Sequence, residues 1–363
     1  MPSLKIFKAF LLKKLASKKA NNFDIRKTRR ILILKYDRVG DMIATTPLIR
    51  EIKRVLPESS LFVLASKINR DILRYNPYVD NIFINNKNNF LRDIGTLFLL
   101  RKMNLDLCIE LDHSVIPHSI LRLRIIKPKK VFSIHKDGRY GVPGSELKIF
   151  DLCTDKNSSA TFADIWLEIV NLLGYRPINN SYDIFLSEKE EKDAKLLIKQ
   201  FKYKFKLVVN LRGSFKEKSI SKNNFINFAK EIYNSFPDIQ IILISDPKNY
   251  DEIEDLELLF SREIDIKAIR TYSILNVAAI IKECDMVITP DTSIVHVASA
   301  FNKPIISIHE NNLESFRLWK PTSEISKTIF AESNYGIRDI NFSEVIRNSK
   351  NMINQIKKDD LKS

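Results

Sequence analysis

The stretch 284–308 constrains the fold of this chain more than any other. It contains a short apolar run that ends at Pro290, an amphipathic helical segment, and a second apolar run that begins after Pro304. A strand that leads directly into a helix brings unpaired backbone N–H groups and the positive end of the helix dipole to one point. That combination favours a bound anion, so we expect a phosphate-bearing ligand at this turn, with Asp291 or Thr292 as the helix cap.

Apolar runs of strand length alternate with helical segments along the rest of the chain. The predicted strands are 30–35, 61–65, 79–84, 105–111 and 130–133 in the first half, and 206–211, 239–245, a short run near 266, 286–289 and 305–308 in the second. Strands that alternate with helices form parallel sheets with right-handed crossovers. The chain is therefore predicted to be α/β, with two Rossmann-like, doubly wound domains that face each other across a cleft.

The length of 363 residues suffices for two domains, each with its own core. Five segments are predicted: a basic amphipathic segment 1–29, an N-terminal Rossmann-like domain 30–175, a linker 176–186, a C-terminal Rossmann-like domain 187–340, and a helical segment 341–363 that packs across the domain boundary. No run approaches the roughly 18 apolar residues that a membrane span requires. The three scattered cysteines indicate a reducing, cytoplasmic setting without disulfides.

The net charge of +15 is unevenly distributed. Residues 1–30 hold ten Lys or Arg and one acid, which places +9 in this segment. Leu4, Phe7, Leu11 and Leu15 share one helical face there, with lysines around them. Such a segment either binds an anionic membrane surface or packs on the protein body, and the pattern is compatible with both.

A second candidate site follows the first predicted strand. Gly40 allows a tight turn with close approach of a ligand, and Asp41 stands at the start of a predicted helix. From its position alone, Asp41 is either a helix cap or a functional carboxylate. In the second half, Ser245 and Asp246 stand at the end of the predicted strand 239–245, at the sheet edge where nucleosides bind in doubly wound folds, so we expect them near a nucleoside.

Three segments resemble motifs of glycosyltransferase family nine, the ADP-heptose:lipopolysaccharide heptosyltransferases and their relatives. Residues 291–304 resemble D-T-G-x-x-H-x-A-x-A-x-x-x-P, with Ser293 in place of the glycine. Residues 31–49 resemble the N-terminal strand and loop of the family, with Gly40 and Asp41 in register. Residues 218–225 resemble K-x-W-P-x-x-x-F at Lys218 and Phe225, without the Trp-Pro pair.

The resemblance implies a GT-B glycosyltransferase that inverts the sugar's anomeric centre. It implies an ADP-heptose-type donor and a lipid-anchored acceptor of the lipopolysaccharide core, on the cytoplasmic face of the inner membrane. It further implies that Asp41 is the general base, and that the nearby loop residues Asp37, Arg38 and Gly40 contact the acceptor or shape the loop. Relatives often have small hydroxyl residues where Asp37 and Arg38 stand.

The resemblance also implies a binding site for the donor diphosphate that requires no metal and no cofactor other than the donor. Its residues are Lys218, Asp291, Thr292, Ser293 and His296. Lys218 and the N–H groups at the helix start would stabilise the negative charge of the leaving diphosphate. His296 either bonds a phosphate or braces the loop.

Other functions fit the sequence less well. A related transferase could use another nucleotide sugar for a surface polysaccharide. A nucleic-acid-binding protein agrees with the charge, but the excess is concentrated at the N-terminus, and no helix-turn-helix or zinc pattern is present, so no nucleic-acid partner is expected. A NAD-dependent dehydrogenase would carry G-x-G-x-x-G after the first strand, which this chain lacks. A catalytically inactive scaffold is disfavoured because Asp41, Lys218 and Asp291 are all retained.

Overall fold

The computed structural model describes residues 2–19, 21–86, 89–260 and 263–360. The chain divides into two compact units, Met1–Asn180 and Ser181–Ser363, which are called unit 1 and unit 2 below. The division falls within the stretch 176–186 that the sequence indicates as a linker. Residues 361–363 of the last predicted segment lie outside the described residues.

Unit 1 is built on a six-stranded parallel sheet. Its strands are β1 (Arg30–Leu34), β2 (Ser60–Ala65), β3 (Asn81–Ile84), β4 (Leu107–Glu110), β5 (Lys130–Ser133) and β6 (Leu152–Cys153). They lie in the order β3-β2-β1-β4-β5-β6. Every strand predicted in this half is confirmed, with ends that differ by up to two residues. The sequence did not indicate β6, because a strand of two exposed residues has no pattern to detect.

The helices of unit 1 cover its sheet. They are α1 (Pro2–Leu15), α2 (Val39–Val55), α3 (Phe90–Lys102), α4 (Pro117–Ile126), α5 (Phe162–Leu167) and α6 (Ile169–Leu172). α2 contains Pro47, which cannot donate a hydrogen bond to the carbonyl of Ile43 one turn earlier. The hydroxyl of Thr46 donates to that carbonyl instead, at 2.7 Å, so the helix continues through the proline.

Unit 2 repeats the design with a second six-stranded parallel sheet. Its strands are β7 (Phe205–Asn210), β8 (Ile239–Ile244), β9 (Ile266–Ile269), β10 (Met286–Pro290), β11 (Ile305–His309) and β12 (Ser326–Phe330). Its helices are α7 (Glu188–Lys199), α8 (Lys222–Ser235), α9 (Tyr250–Phe260), α10 (Ile274–Lys282), α11 (Ser293–Ala300), α12 (Leu313–Trp319) and α13 (Phe342–Asp360). The strand order is β12-β11-β10-β7-β8-β9.

The two sheets have the same topology. In each unit, the first strand pairs with the second strand on one side and with the fourth on the other. This is the Rossmann order, so the α/β class with two doubly wound sheets is confirmed. The order reverses between β1 and β4 and between β7 and β10. Ligands of doubly wound sheets bind at the carboxyl ends of the strands at such reversals.

The terminal helices pack on the units to which they belong. α1 packs on α4, and its Leu12 side chain, together with Ala16 just beyond the helix, is buried in the core of unit 1. α13, predicted to pack across the domain boundary, packs on α8, β11 and β12 of unit 2. Within the described ranges, no helix has the length and apolar character that crossing a bilayer requires.

Candidate functional site

Asp41 lies at the strand-order reversal of unit 1, in the first turn of α2 directly after β1. Its Oδ1 is 3.0 Å from Nζ of Lys35, the residue that follows β1. Asp37 Oδ2 lies 3.1 Å from the same Nζ. The structure therefore brings two predicted carboxylates together on one buried ammonium group, which the sequence did not single out.

Lys35 is held where a cation is costly to bury, since only 3% of its side chain is exposed. Its Nζ lies 4.2 Å from the ring centroid of Trp166, and the Trp166 indole N–H donates to the carbonyl of Leu111. Burial lowers the pKa of Lys35, but the nearby carboxylates, led by Asp41 and Asp37, outweigh it and raise the pKa above the ordinary value. Lys35 is thus a fixed positive charge beside Asp41.

More acidic groups lie at the end of β4, on the other side of the reversal. Glu110 is buried and pairs with Lys136, and it accepts a hydrogen bond from the Ser133 hydroxyl at 2.8 Å. Asp112 follows two residues later. Burial, with added repulsion from Glu110 and Asp37, raises the pKa of Asp112 to about 7. Asp112 is therefore poised to change charge near neutral pH.

Arg38 and Gly40, the other residues predicted in this loop, belong to the start of α2. The N-cap of α2 is Arg38, so Asp41 is not the helix cap. Gly40 lies inside the first turn of α2 and has no positive φ, so the tight turn expected there is absent. The Arg38 carbonyl accepts from the N–H of Met42 at 3.3 Å. The Asn69 side chain donates to the Lys35 carbonyl at 3.2 Å and thereby ties the loop to the end of β2.

The reversal of unit 2 holds the predicted anion site. Asn210, the last residue of β7, donates through Nδ2 to Thr289 Oγ1 on β10 at 2.9 Å. Thr292 is the N-cap of α11, and its hydroxyl accepts from the N–H of Ile294 at 3.3 Å. Ser293 begins the helix without a positive φ, so this position does not require a glycine. The first N–H groups of α11 therefore point out of the sheet edge beside Asn210.

Lys218 lies in the loop after β7 but already has an anionic partner. Its Nζ is 2.8 Å from Glu310 Oε1, and the other Glu310 oxygen accepts from the N–H of Gly336 at 3.1 Å. Burial raises the pKa of Glu310, but the bonds from Lys218 and Gly336 lower it by more. Gly213 packs so tightly on this loop that a Cβ there would lie 2.1 Å from the Lys218 carbonyl oxygen.

Two histidines lie near this cluster. His296 is buried in α11 between the rings of Tyr182 and Trp319, at 5.8 and 5.6 Å, which favours its bracing role. His309, at the end of β11, places Nδ1 3.9 Å from Asp291 Oδ2. Burial lowers the pKa of His309, and the positive charge of Lys218 lowers it further. The negative charges of Asp291 and Glu310 raise it, but by less, so the pKa lies below its ordinary value. His309 is therefore a buried neighbour of the Asp291 turn.

Ser245 and Asp246 follow β8, one strand away from the reversal. The Ser245 carbonyl accepts from the Thr271 hydroxyl at 2.7 Å, which ties the end of β8 to the end of β9. Asp246 is exposed and caps a short 3₁₀ turn by accepting from the N–H of Lys248. These two residues thus lie at the same sheet edge as Asp291, in the place expected from topology.

Sequence reasoning missed Lys35, Asn210, Glu310 and Asp112. Each follows or ends an apolar strand, and a charged or amide residue at the carboxyl end of a buried strand is a signal that could have identified all four. Their partners could not be read from the sequence, because Lys218 and Glu310 are 92 residues apart and Asn210 and Thr289 are 79 apart.

Comparison with known proteins finds similar proteins both by sequence and by fold. Residues 165–336 match the model of glycosyltransferase family 9 (heptosyltransferase). The chain is 22% identical over 332 residues to "Putative lipopolysaccharide heptosyltransferase 4" of Escherichia coli (strain K12), an alignment that covers 90% of this chain and 88% of that one.

Solved structures share the fold at lower sequence identity. The glycosyl transferase family 9 structure from Veillonella parvula DSM 2008 has a TM-score of 0.74 and 15% identity, and covers 94% of this chain and 99% of that one. The E. coli heptosyltransferase WaaC with ADP has a TM-score of 0.69 and 15% identity, and covers 90% of this chain and 99% of that one.

Proposed function

We propose that this chain is a member of glycosyltransferase family 9, whose model matches residues 165–336, and that it transfers a heptose, or a related sugar, from an ADP-sugar to a lipid-anchored oligosaccharide of the lipopolysaccharide core. The ADP moiety is supported by the relative whose structure contains ADP. The proposed place of action is the cytoplasmic face of the inner membrane, where such an acceptor is anchored.

Unit 1 supplies the base in the proposed reaction. Asp41 accepts the proton of the acceptor hydroxyl as that oxygen attacks the anomeric carbon of the donor sugar. The bond from that carbon to the diphosphate breaks as the new glycosidic bond forms on the opposite face, which inverts the configuration. Lys35 holds the Asp41 carboxylate in position through its 3.0 Å contact.

Unit 2 binds the donor. The leaving diphosphate gains negative charge, and the N–H groups at the start of α11, with Lys218, stabilise it without a metal ion. Lys218 must exchange Glu310 for phosphate when the donor binds, since the two side chains are paired at 2.8 Å. Ser245 and Asp246 are the proposed contacts of the nucleoside.

The observation that carries the proposal is the position of Asp41. It is a carboxylate at the ligand-binding edge of a doubly wound sheet, and it is held by a buried lysine that also contacts Asp37. Two carboxylates with one shared cation provide a matched pair of variants, because Asp41→Asn and Asp37→Asn each remove one of the two ion pairs to Lys35.

The test compares these two variants in a sugar-transfer assay. Asp41→Asn should lower kcat by about 10²-fold or more, because the base is lost. Asp37→Asn should alter mainly the KM for the acceptor. ADP affinity, measured by calorimetry, should be unchanged in both variants, because the proposed donor site lies in the other unit. Normal turnover in Asp41→Asn would disprove the assignment of the base.

Nucleotide selectivity tests the donor class independently. ADP or an ADP-sugar should raise the melting temperature, since a ligand that binds only the folded state stabilises it by mass action. Stabilisation by NAD alone would indicate a dehydrogenase. Stabilisation by a uridine or guanosine diphosphate, without an effect of ADP, would keep the transferase class and replace the proposed donor.

A further inference from the structure

Three adjacent helices of unit 1 expose large apolar side chains. On α1, Phe7 and Phe10 are 60% and 64% exposed, and on α3, Phe98 and Leu99 are 50% and 52% exposed. α4 packs on both α1 and α3, and its Leu121 is exposed as well. The outward sides of α1, α4 and α3 are called the helical face below.

The helical face is fixed to the body of unit 1. Leu12 of α1, Leu97 of α3 and Leu123 of α4 are buried in one common core, so the exposed residues lie on the sides of the helices turned away from it. Lys13 pairs with Glu146 at 2.5 Å, and Lys18, just after α1, pairs with Asp151 at 2.6 Å. α1 is therefore a packed helix with an apolar outer side rather than a detached tail.

The face is also strongly basic. α1, α3 and α4 together carry nine Lys or Arg and one acid, Asp93. Arg122 is buried and pairs with Asp93 at 3.1 Å, and the other eight basic residues are exposed. The same bias holds for the units: unit 1 has 32 basic and 17 acidic residues, whereas unit 2 has 27 of each. The whole net charge of +15 is thus located in the unit that carries the helical face.

Another helix shows that exposed leucines alone do not make such a surface. α9 of unit 2 exposes Leu258 and Leu259, but it carries five acids and no basic residue. An anionic surface would repel α9 and attract the helical face, so α9 serves as a matched control.

We propose that the helical face docks on an anionic lipid bilayer, with the aromatic and leucine side chains in the headgroup region and the lysines and arginines at the anionic headgroups. Apolar residues surrounded by cations are typical of helices that lie in a membrane interface. A second copy of the chain is a poor occupant, because two strongly basic faces would repel each other. The proposal rests on the proposed function only for its purpose, which is access to a lipid-anchored acceptor.

The test measures binding to phosphatidylcholine vesicles, with and without phosphatidylglycerol, by co-sedimentation and without donor or acceptor. The full-length protein should bind the anionic vesicles, lose binding at high salt, and bind neutral vesicles weakly. Phe7→Ser/Phe10→Ser and Phe98→Ser/Leu99→Ser should each reduce the partition coefficient by about tenfold or more. Leu258→Ser/Leu259→Ser should bind like the wild type. Circular dichroism and melting temperature verify that each variant is folded.

Several outcomes would overturn the proposal. Wild-type protein that is folded but does not bind anionic vesicles would disprove docking. Normal binding by the folded Phe98→Ser/Leu99→Ser variant would exclude α3 and disprove the three-helix face. A concentration-dependent dimer that the same substitutions abolish would identify a second copy as the occupant. Sugar transfer to a soluble, delipidated acceptor is assayed separately. If the proposed substrate is wrong, that assay shows no transfer while vesicle binding persists.

Discussion

Lys218 and Glu310 form an ion pair in which both side chains are largely shielded from solvent. A phosphate that binds Lys218 must therefore compete with a carboxylate already in place. We expect Glu310→Gln to tighten ADP binding by about tenfold, which corresponds to about 1.4 kcal/mol. Calorimetry measures the change. The control is Glu217→Gln, because Glu217 is the neighbour of Lys218 in its loop and pairs with Arg338 instead.

A double-mutant cycle shows whether the gain acts through Lys218. Lys218→Ala should weaken ADP binding, since a hydrogen bond to a charged group contributes about 1.5–3 kcal/mol. In the Lys218→Ala background, Glu310→Gln should have little effect. An equal gain with and without Lys218 would show that Glu310 repels the nucleotide directly and that Lys218 is not its phosphate ligand.

Asp112 should make the stability of the protein depend on pH. Its pKa rises from the ordinary 3.8 to about 7, so between these values the folded state holds a proton that the unfolded state has lost. Stability therefore falls as pH rises through this window, at up to about 1.4 kcal/mol for each pH unit. Asp112→Asn removes the effect, so its melting temperature should exceed that of the wild type increasingly from pH 4 to pH 7, about the window given by the two pKa values. A difference that does not change with pH would contradict the assignment.

At the scale of residues, the sequence predicted positions better than partners. Asp41 and Thr292 were found because a strand followed directly by a helix has a recognisable pattern. Lys35 is the last residue of the predicted strand 30–35, and nothing in that pattern indicates a role in the site. Its role depends on Trp166, which is 131 positions away in the chain, and on the fold that brings their side chains together. Contacts of this kind follow from the order of the strands, which no local pattern contains.

The N-terminal helix illustrates the same limit for a whole element. The sequence indicated one apolar side, with Leu4, Phe7, Leu11 and Leu15, and left its partner open between a membrane and the protein body. In the structure, the protein body covers a different side, centred on Leu12, and leaves most of the predicted side exposed. α1 is thus apolar on two sides, which a single helical stripe could not represent.

Leu11 and Leu12 provide a direct test of this arrangement, because adjacent leucines in α1 are 44% and 3% exposed. Leu12→Ala should destabilise the protein by about 2 kcal/mol or more, as buried leucines do. Leu11→Ala should stay within about 0.5 kcal/mol of the wild type. Urea denaturation of both variants measures the difference. Equal stabilities would mean that α1 is not part of the folded core.

The sequence also missed β12, although it is a complete strand. Only Ile329 is fully buried in Ser326–Phe330, and the exposed Ser326 and Lys327 weaken the apolar pattern. β12 forms one edge of its sheet, where a single neighbouring strand provides the hydrogen bonds. Edge strands are polar and short for good reason, since a long apolar edge promotes aggregation. The short, polar character that limits aggregation at this edge is therefore also the reason why the apolar pattern did not indicate β12.

At the scale of the whole molecule, each unit has a sheet and a core of its own. All the proposed donor contacts lie in unit 2, and its last helix packs on strands of that unit. We therefore expect residues 181–363, expressed alone, to fold cooperatively and to bind ADP with an affinity near that of the full chain. Circular dichroism and calorimetry test both points. A fragment that folds without binding ADP would show that unit 1 contributes to the nucleotide site.

A molecule with all its net charge in one half does not tumble evenly near a charged surface. Unit 1 carries +15 and unit 2 is neutral, so an anionic bilayer exerts a torque on the approaching protein as well as an attraction. The protein would then arrive with unit 1, which carries the helical face, turned toward the lipid, and a larger share of encounters would end in docking. At 0.1 M salt this guidance extends only about 10 Å from the surface, so association should slow with added salt well before the docked protein is released.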